Sequence, residues 1–359
     1  MTLIIAEAGV NHNGQEDLAI ELINVAKESG ADIVKFQTFK SKNCISNIAE
    51  QADYQLINTK VKESQLEMVQ KLELSYDAHH RLIAHCNSIG IEFLSTAFDH
   101  DSLAFLVDDL KLTRLKIPSG EITNAPLVLA HARTQCDLIL STGMASLSDI
   151  EKTLGVIAFG LTAPLNSIPS EQAFVDAYFS EEGQKALQAK VTILHCTTEY
   201  PAPPNDINLN AMDTIKAAFK LPIGYSDHSK GIVVPIAAVA KGAEIIEKHF
   251  TLDKGMEGPD HIASLDPDEL KSMVSSIRIV NKCLGNGLKG PRPSEIKNMK
   301  IARKSIVARK GIKVGEIFSE DNIMIKRPGN GMSPYGYWDL IGEIAHIDYA
   351  EDELIRLDK

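Results

Sequence analysis

The chain has 359 residues, 44% apolar and 24% charged, a composition that fits one large or two unequal globular cores and excludes a disordered chain. Acidic side chains outnumber basic ones 48 to 37, for a formal net charge of −11, and no Lys/Arg run suits a phosphate backbone, so no nucleic-acid partner is expected. The sequence has no apolar stretch long enough to span a membrane and no signal-like N-terminus, and Cys44, Cys86, Cys136, Cys196 and Cys283 form no CxxC pair, so a cytoplasmic protein with reduced thiols and no membrane partner is expected.

Short β-branched runs at 3–8, 33–38, 91–98, 115–119, 138–142, 191–196, 222–227 and 245–250 alternate with stretches of helical period, among them 18–29, 78–88, 232–241 and 268–283. Such β-then-α repeats over residues 1–284 predict an α/β fold, a closed (β/α)8 TIM barrel. An open doubly wound sheet is the competitor, but its usual GxGxxG first turn is missing. Two segments interrupt the pattern. Residues 40–65, with Tyr54 and Gln55, are expected to fold over the barrel mouth as a lid, and 159–190 to carry a peripheral helix without chemistry. Residues 285–297 are rich in Gly and Pro and read as a linker. Short β-like pieces at 305–308 and 324–326 then predict a small β-rich domain over 298–359, whose thin core would gain from docking on a larger surface.

Each apolar run closes on polar letters: Glu7, Lys35 with Gln37, Ser95 with Thr96, Lys116 with Ser119 and Glu121, Ser141 with Thr142, His195, Asp227 with His228, and His249. In a barrel these ends converge on one mouth, where active sites are built. Any one of them alone is explained by helix capping. Two lysines, three histidines and a glutamate gathered together would cost desolvation unless a ligand or metal balanced them. His228 and His249, on neighbouring strands and near a carboxylate such as Glu7, can hold a divalent ion with open positions, although two separately hydrogen-bonded histidines would give the same letters. Asp227 and Glu247 are candidates to orient the imidazoles, and strand alternation turns Glu247 and His249 to one side. Lys35 and Lys116, with Thr96, Ser119 and Ser141, offer ammonium groups and hydroxyls to a small phosphorylated or carboxylated molecule. Schiff-base chemistry on either lysine is the rival use.

The segments IAEAGVNHNG (5–14), IVKFQTFK (33–40), FLSTAFD (93–99), LKIPSGEITN (115–124), LSTGM (140–144), HCTTEYPAP (195–203), GYSDHSKG (224–231), EKHFTLDK (247–254) and GPDH (258–261) resemble the sialic acid synthases. KRPGNG (326–331) resembles that family's C-terminal antifreeze-like, or SAF, domain. The match runs in order along almost the whole chain. It implies a metal-dependent condensation of phosphoenolpyruvate with an N-acetylated mannose-type amino sugar, giving a nine-carbon α-keto sugar acid and phosphate. It also implies His228 and His249 as ligands of Mn²⁺ or Mg²⁺, which would polarise the open-chain aldehyde.

By the same resemblance Lys35, Thr96, Lys116, Ser119, Ser141 and Ser226 line the phosphoenolpyruvate site, and Gln37, Tyr200 and Asp260 face the sugar. Glu7 partners a water, and Glu121 is a second carboxylate for proton transfer. Thr198 takes a substrate-contact position where some relatives carry Asn. A homodimer with an exchanged tail is implied, bringing Arg327 into the other subunit's mouth. HCTTEYPAP and IPSGEITN favour 2,4-diacetamido-2,4,6-trideoxymannose as acceptor, giving N,N'-diacetyllegionaminate. N-acetylmannosamine, giving N-acetylneuraminate, is the alternative, with the pseudaminate precursor next. An ice-binding role for the tail is disfavoured, because Lys304, Arg309, Lys310, Lys313, Glu316, Glu320 and Asp321 charge a face that would have to be flat and weakly polar.

Overall fold

A computed structural model describes residues 1–52, 55–56 and 61–356. Eight parallel strands close a barrel in sequence order: β1 (Leu3–Gly9), β2 (Ile33–Thr38), β3 (Glu92–Ala97), β4 (Arg114–Ile117), β5 (Asp137–Ser141), β6 (Val191–Cys196), β7 (Ile223–Asp227) and β8 (Ile245–His249). The expected (β/α)8 architecture is therefore present, with helices such as Glu16–Glu28, Tyr76–Ile89, Leu147–Thr162 and Pro267–Leu284 around it. Their starts are set by local chemistry. Ser75, Ser146 and Asp266 each cap a helix N-terminus, and Gly90 ends one in the left-handed conformation that a Cβ disfavours.

The period of two along each strand builds the interior in layers. Ile5, Ile33, Leu94, Ile139, Leu194 and Ile245 pack together as an apolar floor, each burial contributing about 1.5–3 kcal/mol. Gly224 supplies no side chain to this layer, because a Cβ there would lie 2.4 Å from Leu194 Cδ2 and 2.6 Å from the Ile245 carbonyl oxygen. Two residues farther along each of the six floor strands, on the same face, stand Glu7, Lys35, Thr96, Ser141, Cys196 and Glu247. Alternation thus lifts chemistry above a dry floor.

Residues 1–285 form one compact unit and 286–359 another. In the second, β9 (Ser305–Ala308) pairs antiparallel with β10 (Ile323–Lys326), and Ile306, Phe318, Ile323, Leu340 and Ile355 are buried in its core. The stretch read as a linker is corrected at its end, where residues Pro293–Ala302 are helical. Pro293 at the first helical position has its φ preset for a helix, and the Arg292 N–H donates to Glu295 Oε2 (2.8 Å).

Within 40–65, Tyr54 lies outside the described residues, while Gln55 Oε1 accepts from the Ala52 N–H (2.9 Å). The 159–190 segment holds two helices, Glu171–Phe179 and Glu181–Lys190, the first seated on Leu147–Thr162 through an edge-on Phe159–Phe174 contact at 5.3 Å. No helix among the described residues is long and apolar enough to cross a membrane.

One buried group far from the barrel mouth makes stability depend on pH. His131, fully buried in the helix Ala125–Arg133, donates from Nδ1 to the Leu127 carbonyl (2.9 Å), and burial pushes its pKa down to about 4. The unfolded chain takes up this proton from about pH 6.5 downward and the folded chain only near 4, so stability is complete above 6.5 and drains away between those values. Urea unfolding of wild type and His131→Gln at pH 7 and 5 is expected to show an extra loss in wild type of about 2 kcal/mol. Equal losses in the two proteins would contradict a neutral buried His131.

Candidate active site

The first group of site residues is a charge network across the barrel. Register sets Glu7 beside Lys35 on one side and His249 on the other. Lys35 Nζ stands 2.6 Å from Glu7 Oε2 and 3.6 Å from Glu247 Oε2, and it donates to Thr96 Oγ1 at 3.0 Å. Glu247 Oε1 accepts from Lys116 Nζ and from Ser226 Oγ, both at 2.8 Å. Glu7, Lys35, Lys116 and Glu247 are each at most 4% exposed, so these contacts act in a medium that screens charge poorly.

The two carboxylates differ accordingly. Burial pushes the Glu7 pKa up to about 7; Lys35 opposes this and the like charge of Glu247 adds to it. Glu247 goes the other way, because Lys116 and Lys35 overcome its desolvation and hold it far below the usual carboxylate range. Burial pulls Lys35 down, but Glu247 and Glu7 more than offset this and hold it above the ordinary lysine value. A break in register between Glu7 and Gly9 completes the corner. Gly9 has φ +54°, and a Cβ there would lie 3.3 Å from both Glu7 Oε1 and His249 Cε1. A side chain at position 9 would wedge those groups apart.

Beside this network the two imidazoles face one another, ring centroids 5.5 Å apart and tilted by 57°. His228 donates from Nδ1 to the Thr197 carbonyl (2.7 Å), which leaves Nε2 as the ring nitrogen available to a ligand. Tyr200 stacks on His228 at 4.0 Å and meets His249 edge-on at 5.5 Å. Burial disfavours the cation at both rings. It prevails at His249, whose pKa is driven well below the ordinary value with help from His228. At His228 the neighbouring Cys196, its Sγ 3.7 Å from Nδ1, and the Thr197 carbonyl outweigh burial and raise the pKa. Asp260, pushed up to about 6 by burial against the pull of His228, has Oδ2 4.0 Å from His249 Nδ1.

A third group is made of hydroxyls. Ser119 Oγ donates to Ser141 Oγ (3.0 Å) and accepts from the Gly143 N–H (2.9 Å). Thr198 joins them, since a Cβ on Gly143 would lie 2.1 Å from Thr198 Oγ1 and 2.8 Å from Ser119 Oγ. Thr198 Oγ1 is buried with no hydrogen-bond partner among the described residues, a polar atom poised for a ligand. Gln37, from β2, reaches Glu7 Oε1 at 3.5 Å.

Two expectations need correction, the place of His195 in the mouth and the orienting of the imidazoles by direct bonds from Asp227 and Glu247. His195 leaves the mouth and hydrogen-bonds through Nε2 to the Ile207 carbonyl (2.7 Å), because Leu194 and Cys196 already take the inward positions of β6. Asp227 and Glu247 hydrogen-bond to neither imidazole: Asp227 pairs with Lys248 at 2.6 Å on the opposite face of the barrel wall, and Glu247 is taken up by Lys116, Ser226 and Lys35. Glu121 sits half-buried on the turn Ser119–Glu121 and accepts from Asn124 Nδ2 (2.7 Å), outside the buried charge network. Arg327, in the second unit, is exposed and donates from Nε to the Ala302 carbonyl (3.1 Å). Cys196 and Gly143 were not anticipated, although inward parity on β6 pointed to the first.

Whether these residues suit a divalent cation is decided by the donors themselves. His249 Nδ1 is buried and hydrogen-bonded to nothing among the described residues, and its ring favours the neutral form that ligates metal. Among the described residues no group of three or more His, Cys, Asp or Glu side chains is placed to hold a metal ion. The two imidazoles are the donors on offer, which suits only an open site whose shell substrate and water would complete, and not a closed structural one.

The chain is 53% identical to an N,N'-diacetyllegionaminic acid synthase of Campylobacter jejuni, over 99% of both chains. It is 44% identical to the protein of the same name from Legionella pneumophila, over 94% of this chain and 89% of that one. A crystal structure of N-acetylneuraminic acid (sialic acid) synthetase from Leptospira borgpetersenii in complex with citrate superposes with a TM-score of 0.68 at 32% identity, covering 83% of this chain and 90% of that one. Residues 303–359 match the SAF domain. Residues 22–289 match the NeuB family, and this chain belongs to it.

Proposed function

We propose that the protein condenses phosphoenolpyruvate with 2,4-diacetamido-2,4,6-trideoxymannose to give N,N'-diacetyllegionaminate and phosphate. The near full-length similarity to two legionaminic acid synthases carries this reading, and it exceeds the similarity to the sialic acid synthetase. In the reaction, carbon 3 of phosphoenolpyruvate bonds to the sugar's aldehyde carbon, water adds at carbon 2, and the bond from carbon 2 to the phosphate oxygen breaks.

The chain's own groups divide this work. Lys35 and Lys116 set positive charge against an anionic substrate in a net-acidic protein, and Ser119, Ser141, Thr198, Ser226 and Thr96 supply hydroxyls to its oxygens. Glu7, with a pKa of about 7, takes the proton from the attacking water at a carboxyl oxygen. The apolar floor beneath excludes bulk water. Tyr200, Gln37 and Asp260 face the acceptor sugar, with Glu121 farther out on its turn. His228 and His249 would hold Mn²⁺ or Mg²⁺, which when bound supplies Lewis-acid chemistry toward a carbonyl oxygen.

Schiff-base use of Lys35 is disfavoured by its paired carboxylates, which keep the ammonium charged. The reading includes a cytoplasmic homodimer in which Arg327 of one tail reaches the other subunit's mouth. Turnover with phosphoenolpyruvate and each of three sugars tests the acceptor. kcat/KM is expected to be highest for the diacetamido trideoxymannose, by at least about 10-fold, because a pocket built for an amide leaves partners unsatisfied when a hydroxyl replaces it. Faster turnover of N-acetylmannosamine would assign the alternative.

A further inference from the structure

On the outer face of the barrel wall, directly behind the two imidazoles, lies an ion pair that the chemistry above does not use. Asp227 and Lys248 are both 0% exposed and 2.6 Å apart. Asp227 Oδ1 also accepts from Tyr225 Oη and the Ser229 N–H, each at 3.0 Å, and Oδ2 accepts from Ser229 Oγ at 3.0 Å. Lys248 Nζ donates in addition to the Ser229 carbonyl. The chain on both sides of His228 is therefore gripped by the residue that precedes His249.

The register gives this pair its significance. The β7–β8 pairing runs Tyr225 with Ile246, Ser226 with Glu247, and Asp227 with Lys248, and there it ends. His228 lies one residue past the last pair, and His249 is registered instead against Glu7 of β1. No rung of the sheet fixes one imidazole relative to the other. The Asp227–Lys248 pair and its Ser229 contacts span that gap. Stability does not explain it, since a buried ion pair is often replaced by apolar groups of similar shape without net loss. Directional bonds supply what apolar packing does not, a single placement of two backbones.

We propose that Asp227 and Lys248 are positioning residues that fix the separation and tilt of His228 and His249, a role that rests on reading those imidazoles as cation ligands. Ligand nitrogens must be held to within about 0.5 Å for a metal site to work, and supporting residues of this kind typically alter affinity by about 10- to 100-fold.

The test uses the full-length protein and Mn²⁺ alone, with free ion followed by its paramagnetic resonance signal, and the visible spectrum of Co²⁺ as a second readout. Asp227→Asn/Lys248→Met is expected to fold, to bind Mn²⁺ at least about 10-fold more weakly, and to change the Co²⁺ bands. Its kcat falls, while KM for phosphoenolpyruvate stays within about 3-fold. Tyr225→Phe keeps the ion pair and removes one of its supports; a weakening of about 3-fold is expected, and this variant decides the matter if the double variant does not fold. His249→Ala separates the two ideas. Wild-type Mn²⁺ binding that survives in His249→Ala overturns the cation reading and the positioning role together. Binding that depends on His249 but is unchanged in the folded Asp227 and Tyr225 variants overturns the positioning role alone.

Discussion

His249→Ala is expected to lower the condensation rate by on the order of 10³-fold or more while the barrel stays folded. The ring is 6% exposed, faces His228, and has a buried nitrogen with no hydrogen-bond partner among the described residues. Its removal therefore breaks no hydrogen bond described here, so the loss should fall on turnover more than on stability. Phosphoenolpyruvate affinity is expected to stay within about 3-fold, since Lys35, Lys116 and the serine and threonine hydroxyls remain. Calorimetric titration with phosphoenolpyruvate beside the rate assay checks both halves. Near-normal turnover in the variant would remove His249 from the chemistry.

Glu247→Ala should be costly in a different way. Glu247 neutralises Lys116 at 2.8 Å and shares Lys35 with Glu7, so its loss leaves two buried ammonium groups with one carboxylate. Stripping one partner from a buried ion cluster costs on the order of 3–5 kcal/mol. Glu247→Gln keeps the shape and the bond from Ser226, and it is expected to lose nearly as much because charge, not the hydrogen bond, opposes the lysines. Urea unfolding of the three proteins at pH 7 measures this. A Gln variant as stable as wild type would mean that position 247 carries no charge in the folded protein.

Much of this was legible in the letters. The β-branched runs ending in polar residues gave the strands and the mouth, and the parity of Glu247 and His249 gave their common side. The same parity would have turned His195 and Asp227 outward, since Leu194 and Cys196 on β6, and Ser226 with His228 beyond it on β7, take the inward places. The rule that strand ends are functional overrode it. Partnerships across the barrel were not legible. That Glu247 of β8 meets Lys116 of β4, or that Thr198 lies against Gly143, depends on closure of the sheet and on loop paths that no local spacing encodes. The helix at 293–302 was hidden because glycine and proline mark both linkers and helix starts.

The most direct measurement is the rate of phosphate release from phosphoenolpyruvate and the diacetamido trideoxymannose by protein stripped of metal with a chelator and then given Mn²⁺. Activity is expected to be lost on stripping and to return with Mn²⁺ in wild type, but not in His228→Ala or His249→Ala. Stripped wild-type protein that forms the carbon–carbon bond at its full rate would contradict this.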